Sequence, residues 1–445
     1  MINITTSELL QKVKEEKVKF ISLQFSDING ILKHVIITSE RLTTALEEGI
    51  WFDGSSIEGF VRIFESDLYL KPDINTFAIL PWIAEENKTA RLICDIYQPD
   101  GTPFAGDPRY ILKRALKEAE ELGYSYNVGP EIEFFLFDRV DNLLQPNTHD
   151  NASYFDLQGD MAILVKQEMT KALESMGIKV EAGHHEVAPG QHEIDFSYAP
   201  ALETADNAVT FKLAVQAIAN KYNLHATFMP KPITGINGSG MHTHQSLFDR
   251  ENKHNLFFNS KDPYFLSAIA RNFVAGQLHF AREICIILSP TVNSYKRLVL
   301  GYEAPVYISW AQINRSALIR IPKCSPKNIN GIRIELRSPD PSCNPYLAFA
   351  VMLKAGLEGI KRNLTPPQPI EENIYELQGN AKYPKLSTLP ESLKEALEEV
   401  KKSTLVKETL GEHCYNYFIK AKTAEWEAYK IQVTPWELKH YLGTY

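Results

Sequence analysis

The chain has 445 residues, more than one ordinary domain holds, so at least two domains and a large buried core are expected. Hydrophobic residues make up 44% and charged residues 23%, an ordinary water-facing composition, and the net charge of -8 argues against nucleic acid as the main partner. No stretch nears the roughly 18 uninterrupted apolar residues of a membrane span, and Glu8, Lys12, Lys14, Glu15 and Glu16 leave no apolar core for a signal peptide.

Lys19 to Asp27 alternates like a strand, Asn29-Gly30 reads as a hairpin turn, and Leu32 to Ile37 returns as the partner strand. Gln98 to Gly106 is rich in Pro and Gly, as a domain boundary should be. Directly after it Asp107 can cap a helix that opens on Pro108, and Ile111, Leu112, Ala115, Leu116, Ala119 and Leu122 form one apolar stripe ending at Gly123. The expected division is a small β-rich domain over 1–104 and a large mixed domain over 105–445. The charged run Glu391 to Lys402 reads as a solvated helix face. Cys94, Cys285, Cys324, Cys343 and Cys414 are scattered and odd in number, which points to reduced thiols and a cytoplasmic setting.

Glu131 and Glu133 sit two apart in the apolar run Gly129 to Phe137, so on a strand both project from one side, with Ile132 and Phe134 on the other. Unpaired carboxylates in low dielectric cost several kcal/mol each or take up protons, and a hard divalent cation with oxygen ligands keeps them ionised. A strand-end acid and a salt bridge would also account for this pair taken alone. Similar clusters recur, however. Glu186 and Glu193 flank a Pro189-Gly190 turn, suiting two strand ends that meet. Asn237-Gly238-Ser239-Gly240 leads into His242 and His244 on one face, and Arg333-Ile334-Glu335-Leu336-Arg337 alternates charge with aliphatic. Five carboxylates and an imidazole from four apolar segments suit Mg²⁺ or Mn²⁺ better than zinc, which prefers Cys and His.

These segments carry a resemblance that runs nearly the whole chain. Phe52 to Phe60 (Phe-Asp-Gly-Ser-Ser-Ile-Glu-Gly-Phe), Gly129 to Phe135, His184 to Phe196, Asn237 to Ser246, Asn293 to Arg297, Gly301 to Pro305 and Asn314-Arg315-Ser316 resemble, in order, the motifs of type I glutamine synthetases. The resemblance implies an α+β fold: an N-terminal β-grasp domain, then an α/β catalytic domain whose curved antiparallel strands line a funnel. It implies ATP-dependent ligation of ammonium to glutamate through γ-glutamyl phosphate.

By that resemblance Glu133, Glu186 and Glu193 hold one Mg²⁺ or Mn²⁺ ion and Glu131, His242 and Glu335 another. Arg315, Arg320 and Arg333 face the phosphates of ATP, with Arg315 nearest the transferring group, since guanidinium forks match phosphate oxygens. Arg297 and Arg337 clamp glutamate, whose amino group meets the Gly238 carbonyl. His244 and Ser246 lie on the nucleotide side, and Phe228 walls the adenine pocket or belongs to the core. Asp53 and Glu303 capture and deprotonate ammonium, with Tyr154 lining its pocket and Glu303 also closing the site as a flap. Because Asp53 serves the neighbouring subunit in this family, the expected assembly is a dodecamer of two hexameric rings. The Trp426, Trp436 and Tyr445 segment is expected at a subunit contact, and as a docking point for nitrogen-regulatory proteins.

Arg62 matches the position at which the glutamine-feedback-inhibited subgroup senses its product, while Gln378, Gly379 and Asn380 after Tyr375 depart from the adenylylated subgroup. Leu300 and Ala317 stand where prolines are usual, and Lys323 to Gly331 is about two residues longer than the common form and lacks the usual arginine there. These departures bear on flap rigidity and nucleotide affinity. The rival readings are a ligase joining glutamate to a polyamine or another amine, and a non-catalytic scaffold; intact Asp53, Glu303 and six presumed metal ligands argue against the scaffold, and the intact Asp53 turn favours ammonium over a bulky amine. Arg62→Ala should relieve inhibition by glutamine with little loss of uninhibited rate, because a cation contacting product alone does not lower the barrier. Glutamine titration at fixed glutamate checks this, and superimposable curves would make Arg62 an ordinary strand residue.

Overall fold

The expected hairpin forms: β1 (Phe20–Ser26) and β2 (Leu32–Thr38) pair antiparallel, and Gly30 supplies the φ of 79° that the turn requires. This is a computed structural model, and it describes residues 4–55, 57, 59, 67–139, 146–156, 160–325, 328–372 and 386–445; Arg62 and Tyr375 lie outside them. β3 (Ile50–Asp53), β4 (Asp67–Pro72), β5 (Ala78–Ile79) and β6 (Thr89–Tyr97) complete a six-stranded sheet of order β2-β1-β6-β4-β3, with β5 also against β6. β1 and β6 run parallel. Alternate residues of these strands, among them Ile21, Leu23, Leu70, Leu92 and Ile96, fill a core of their own.

The helix Pro108–Glu121 begins as its cap signal requires, with the Asp107 carboxylate accepting the Arg109 N–H at 2.9 Å. It leads into a nine-stranded sheet: β7 (Tyr124–Asp138), β8 (Val180–His185), β9 (Gln191–Phe196), β10 (Ala199–Pro200), β11 (Leu224–Thr227), β12 (Met241–Asp249), β13 (Trp310–Ala311), β14 (Ile319–Arg320) and β15 (Ile334–Leu336). The order is β13-β14-β15-β12-β7-β9-β8, with β10 and β11 also paired to β7. Only β13 and β14 run parallel among these described pairs.

β7 changes partner along its length. Tyr124 to Ile132 pairs with β12, Glu133 to Phe135 with β9, and Phe135 to Asp138 with β11. Glu131 and Glu133 straddle the point where one neighbour gives way to the next. The helices Ala201–Lys221, Ala268–His279 and Pro345–Lys361 cover the apolar face, the last almost wholly buried. Two of them cross so closely that a Cβ on Gly276 would stand 2.1 Å from the Ala355 carbonyl oxygen, so only glycine fits.

The charged run near residue 400 is the helix Leu393–Val400, whose Leu393, Ala396, Leu397 and Val400 are buried beneath exposed Glu391, Lys394 and Glu398. Trp436 and Tyr445 are exposed, whereas Trp426 packs on the main core. All five cysteines are free. Among the described residues no helix is long and apolar enough to cross a membrane.

Arg109 ties the two sheets together from full burial. Its guanidinium donates to Asp95 on β6 at 2.7 Å, to Asp73 at 2.8 Å, and to both oxygens of Asp206 at 3.0 and 2.9 Å. The Tyr346 hydroxyl donates to the same Asp206 at 2.7 Å. Removing one partner of a buried ion network leaves the others uncompensated, at a cost of about 3–5 kcal/mol. Arg109→Met should therefore lower the thermal unfolding midpoint clearly, while Arg250→Met, on an exposed pair with Glu120, should leave it within experimental error. Equal midpoints for the two variants would show that the Arg109 network contributes nothing net.

Candidate active site

Strand alternation alone puts the first acids in place. Ile132 and Phe134 are fully buried in the main core, and Glu131 and Glu133 point to the opposite side. Pairing then delivers the rest: Glu131 lies opposite His242 on β12, Glu133 opposite Glu193 on β9, and His244 opposite Glu335 on β15. Glu186 arrives at the end of the β8–β9 hairpin, where its N–H donates to the Gln191 carbonyl at 2.8 Å and Gly190 turns the chain at φ 70°. Glu131, Glu133, Glu186, Glu193, His242 and Glu335 line a cavity of about 270 Å³ with Tyr154, Gly238, Arg297, Glu303, Arg315, Arg320 and Arg337.

The donor atoms of Glu131, His242 and Glu335 lie within 4.8 Å of one another. His242 Nδ1 is 3.4 Å from Glu131, 3.9 Å from Glu133 and 3.9 Å from Glu335. In the other expected trio, Glu193 gathers with His184 and Asp195 inside the same limit, and His184 stands 3.5 Å from Glu186 and 3.9 Å from Glu193. Asp195, His184 and Gln191 have no assigned role in the sequence reading. Glu193-Ile194-Asp195 repeats the spacing of Glu131-Ile132-Glu133, so that signal was present. Gln191 donates to Glu133 at 2.8 Å and to the Gly238 carbonyl at 3.1 Å, which joins the acids to the glycine turn. A Cβ at Gly238 would lie 2.2 Å from the Pro230 carbonyl oxygen, so the turn needs glycine.

Crowded acids cannot all ionise. Burial, reinforced by the neighbouring Glu186 carboxylate, pushes Glu133 up to about 8. Burial with Glu133, Asp195 and Glu131 nearby raises Glu193 well above the ordinary range, and burial raises Glu186 and Asp195 as well. Glu131 goes the other way: burial opposes its charge, but hydrogen bonds from His242 and His244 hold it ionised. Burial, with the Arg337 charge, draws His242 down to about 4, leaving it a neutral imidazole able to act as a ligand. Four raised acids, Glu131 and Glu335 held toward the ionised form, and a neutral histidine facing one space are a donor set that fits a hard divalent cation.

Arg320 ends β14, Arg333 and Arg337 flank β15, and Arg297 ends the helix Ser294–Arg297. Arg297 is buried and donates to the carbonyls of Ser338 at 2.9 Å and Arg337 at 3.0 Å, so its fork is aimed before any ligand arrives. Arg337 donates to Glu335 at 3.3 Å and to the Glu303 carbonyl at 3.4 Å, while its buried Nε has no partner. Arg320 donates to Glu335, and Arg333 donates to His244 Nδ1 at 3.1 Å. Arg315 is exposed at the rim and bonds the Tyr154 hydroxyl. Glu303 sits at φ 59°, a strained conformation for a non-glycine residue, in the loop over the cavity.

Other expected residues stand apart. His244 reaches Glu131 at 2.7 Å but, like Arg333 and Ser246, is not among the residues lining this cavity. Ser246 is nearly buried opposite Asn127. Phe228 packs against Phe134 and Phe211, with ring centroids 5.8 and 6.1 Å away, on the core side. Asp53 ends β3 in the small sheet, where it accepts the Ser55 N–H at 2.8 Å, and none of the described residues lining the cavity precedes Glu131.

A carboxylate floor with a rim of guanidinium groups fits an enzyme site that takes a divalent cation and anionic substrates. Residues 17–99 match the family model "Glutamine synthetase, beta-Grasp domain" and residues 105–441 match "Glutamine synthetase, catalytic domain". The chain belongs to the glutamine synthetase family. It is 52% identical to the glutamine synthetase of Clostridium saccharobutylicum over the full length of both chains, and 52% identical to that of Thermus thermophilus over 99% of each. A solved structure described as a GmaS/ADP complex superposes with a TM-score of 0.88 at 30% identity, covering 98% of this chain and 99% of that one.

The raised acids make a signed prediction. An acid that ionises late in the folded chain contributes stability that is complete below its ordinary value of 4.5 and is lost as pH rises toward about 8. In chelator the unfolding midpoint should therefore fall across that window, and saturating Mg²⁺ should flatten the fall while releasing protons into a weak buffer near neutrality. A midpoint indifferent to Mg²⁺, with no proton release, would mean these acids are already compensated by protein groups.

Proposed function

We infer that the chain is a glutamate–ammonia ligase, joining ammonium to L-glutamate with ATP and releasing L-glutamine, ADP and phosphate. The observation that carries this is 52% identity to a glutamine synthetase across the entire length of both chains. A carboxylate is a poor acylating agent, so one oxygen of the glutamate side chain bonds to the γ-phosphorus as ADP leaves. Ammonia then forms the C–N bond, phosphate departs, and the extra proton passes to an acid.

Glu133, Glu186 and Glu193 would hold one divalent cation and Glu131, His242 and Glu335 a second. Bound Mg²⁺ or Mn²⁺ would neutralise phosphate oxygens and keep these acids ionised. Arg297 and Arg337 would orient glutamate with the Gly238 carbonyl, and Arg315, Arg320 and Arg333 would meet the charge spreading over the transferring phosphoryl. His244 and Ser246 are assigned to the nucleotide side, with Phe228 behind them. Glu303 and Tyr154 would line the ammonium pocket, and the loop holding Glu303 would exclude water from the acyl phosphate.

Asp53 would take the ammonium proton from the small domain of a neighbouring subunit. Its exposed position at a strand end supports this, as does a cavity lined by the second sheet and its loops. The assembly proposed is the dodecamer of two hexameric rings, cytoplasmic, with exposed Trp436 and Tyr445 at a contact. The expected domain limits, 1–104 and 105–445, go with it.

The test is ATP-dependent product formation from glutamate with ammonium, putrescine and ethanolamine in parallel. Ammonium should be used and the amines not; the reverse pattern would replace ammonia ligase by amine ligase. Glu335→Gln should cost about 100-fold or more in rate through loss of one hard anionic ligand, whereas Asp53→Ala should keep ATP affinity and raise the ammonium requirement. Wild-type behaviour of either variant would remove that residue from the chemistry.

A further inference from the structure

We propose that His149, Asp150, His185 and His192 form a second metal site, of the zinc type, on the face of the sheet opposite the carboxylate cavity. His192 lies between Gln191 and Glu193 on β9, so alternation turns its ring to the other side, against Phe134 at 5.9 Å between centroids. His185 is its cross-strand partner on β8, with ring centroids 4.9 Å apart, and the His149 ring lies 5.2 Å away. Donor atoms of His149, Asp150 and His192 all fall within 4.8 Å of one another.

The hydrogen bonds fix which nitrogens are free to bind. A backbone carbonyl can only accept, so His149 Nδ1 must donate to Leu136 at 3.1 Å and His185 Nδ1 to Glu186 at 2.5 Å. Each Nε2 is then the nitrogen turned to Asp150: His149 to Oδ2 at 2.8 Å and His185 to Oδ1 at 3.3 Å. A lone pair facing a carboxylate oxygen is repulsive unless a proton or a cation lies between them. Histidines whose Nδ1–H is anchored on a carbonyl, with Nε2 converging on one point, are the arrangement metal ligands adopt.

His192 decides between protons and a metal. It is fully buried, and neither ring nitrogen has a hydrogen-bond partner. Protonating His149 and His185 would satisfy Asp150 and still leave His192 bare, whereas a single cation among His149, Asp150 and His192 takes a lone pair from each and leaves His185 Nε2 facing the other oxygen of Asp150. Two imidazoles and a carboxylate within 4.8 Å of one another, with His185 Nε2 on the other oxygen of Asp150 as the fourth donor, suit Zn²⁺ in tetrahedral coordination, and with Zn–N near 2.05 Å the first three need close only to separations on the order of 3.3 Å. Mg²⁺ has no preference for such nitrogen ligands. A cavity lined by Phe155, Asp156, Lys166 and His184 reaches one member of the group, His185. Asp150 Oδ1 also accepts the Gly190 N–H at 2.9 Å, so the ion would clamp the turn between Glu186 and Gln191.

The experiment uses the full chain, stripped with chelator, held in saturating Mg²⁺ and titrated with ZnCl₂. One zinc per chain should be retained, with an X-ray absorption spectrum showing two or three imidazole ligands, and the unfolding midpoint should rise. His149→Gln and His192→Gln should each weaken zinc binding by about tenfold or more, while His242→Asn, in the carboxylate cavity, should retain it. No zinc retained above Mg²⁺, zinc held undiminished by both variants, or zinc lost in His242→Asn would each overturn the proposal. Circular dichroism and assembly size check folding, and should either variant misfold, the imidazole count on the wild-type zinc decides: one or none refutes the site.

Discussion

The arrangement of the larger sheet follows from one constraint: several carboxylates must share one small volume at the point where β7 exchanges neighbours. β12 pairs with one edge of β7 up to Ile132 and β9 with the other from Glu133, so side chains from both neighbours reach the same cavity. The acids repel, burial and Glu186 push Glu133 up to about 8, and the surrounding arginines compensate only part of the charge. A divalent cation bound among these acids would relieve that cost, and would then be a structural partner as well as a chemical one.

The small domain answers a different requirement. Arg109 anchors it through Asp73, Asp95 and Asp206, which fixes the position of the six-stranded sheet against the helices without contributing to the cavity. Asn344 adds a second tie, donating from its side chain to the Asp27 carbonyl at 2.9 Å while capping the helix Pro345–Lys361. The domain so held supplies none of the described residues that line the cavity.

Local signals were readable where chemistry dictates geometry. The Asn29-Gly30 hairpin, the Asp107-Pro108 helix start and the two-residue spacing of Glu131 and Glu133 each follow from one physical rule, and each is present. Their meeting in space was suggested by the recurrence of acids, not by any one segment, and the resemblance supplied the pairing. Asp195 and Gln191 escaped notice because an acid or amide on a strand is ordinary until its neighbours are known. The histidines behind the hairpin were hidden for the same reason: alternation turns His192 away from Glu193, but nothing in the order of residues says that His149 and His185 meet it on that face.

Opposite faces of one short hairpin thus carry different chemistry. Gln191 and Glu193 face oxygen-rich, anionic space, while His185 and His192 face nitrogen-rich space lined by Phe134. The backbone between them is shared, so a shift in the turn at Gly190 moves both sets of donors together. Asp150 holds that turn from behind through the Gly190 N–H, and Gln191 holds it from the front through Glu133 and Gly238. Whatever occupies the space behind the hairpin therefore acts on the position of Glu186 and Glu193, through rigid strand geometry and without contact to anything in the cavity.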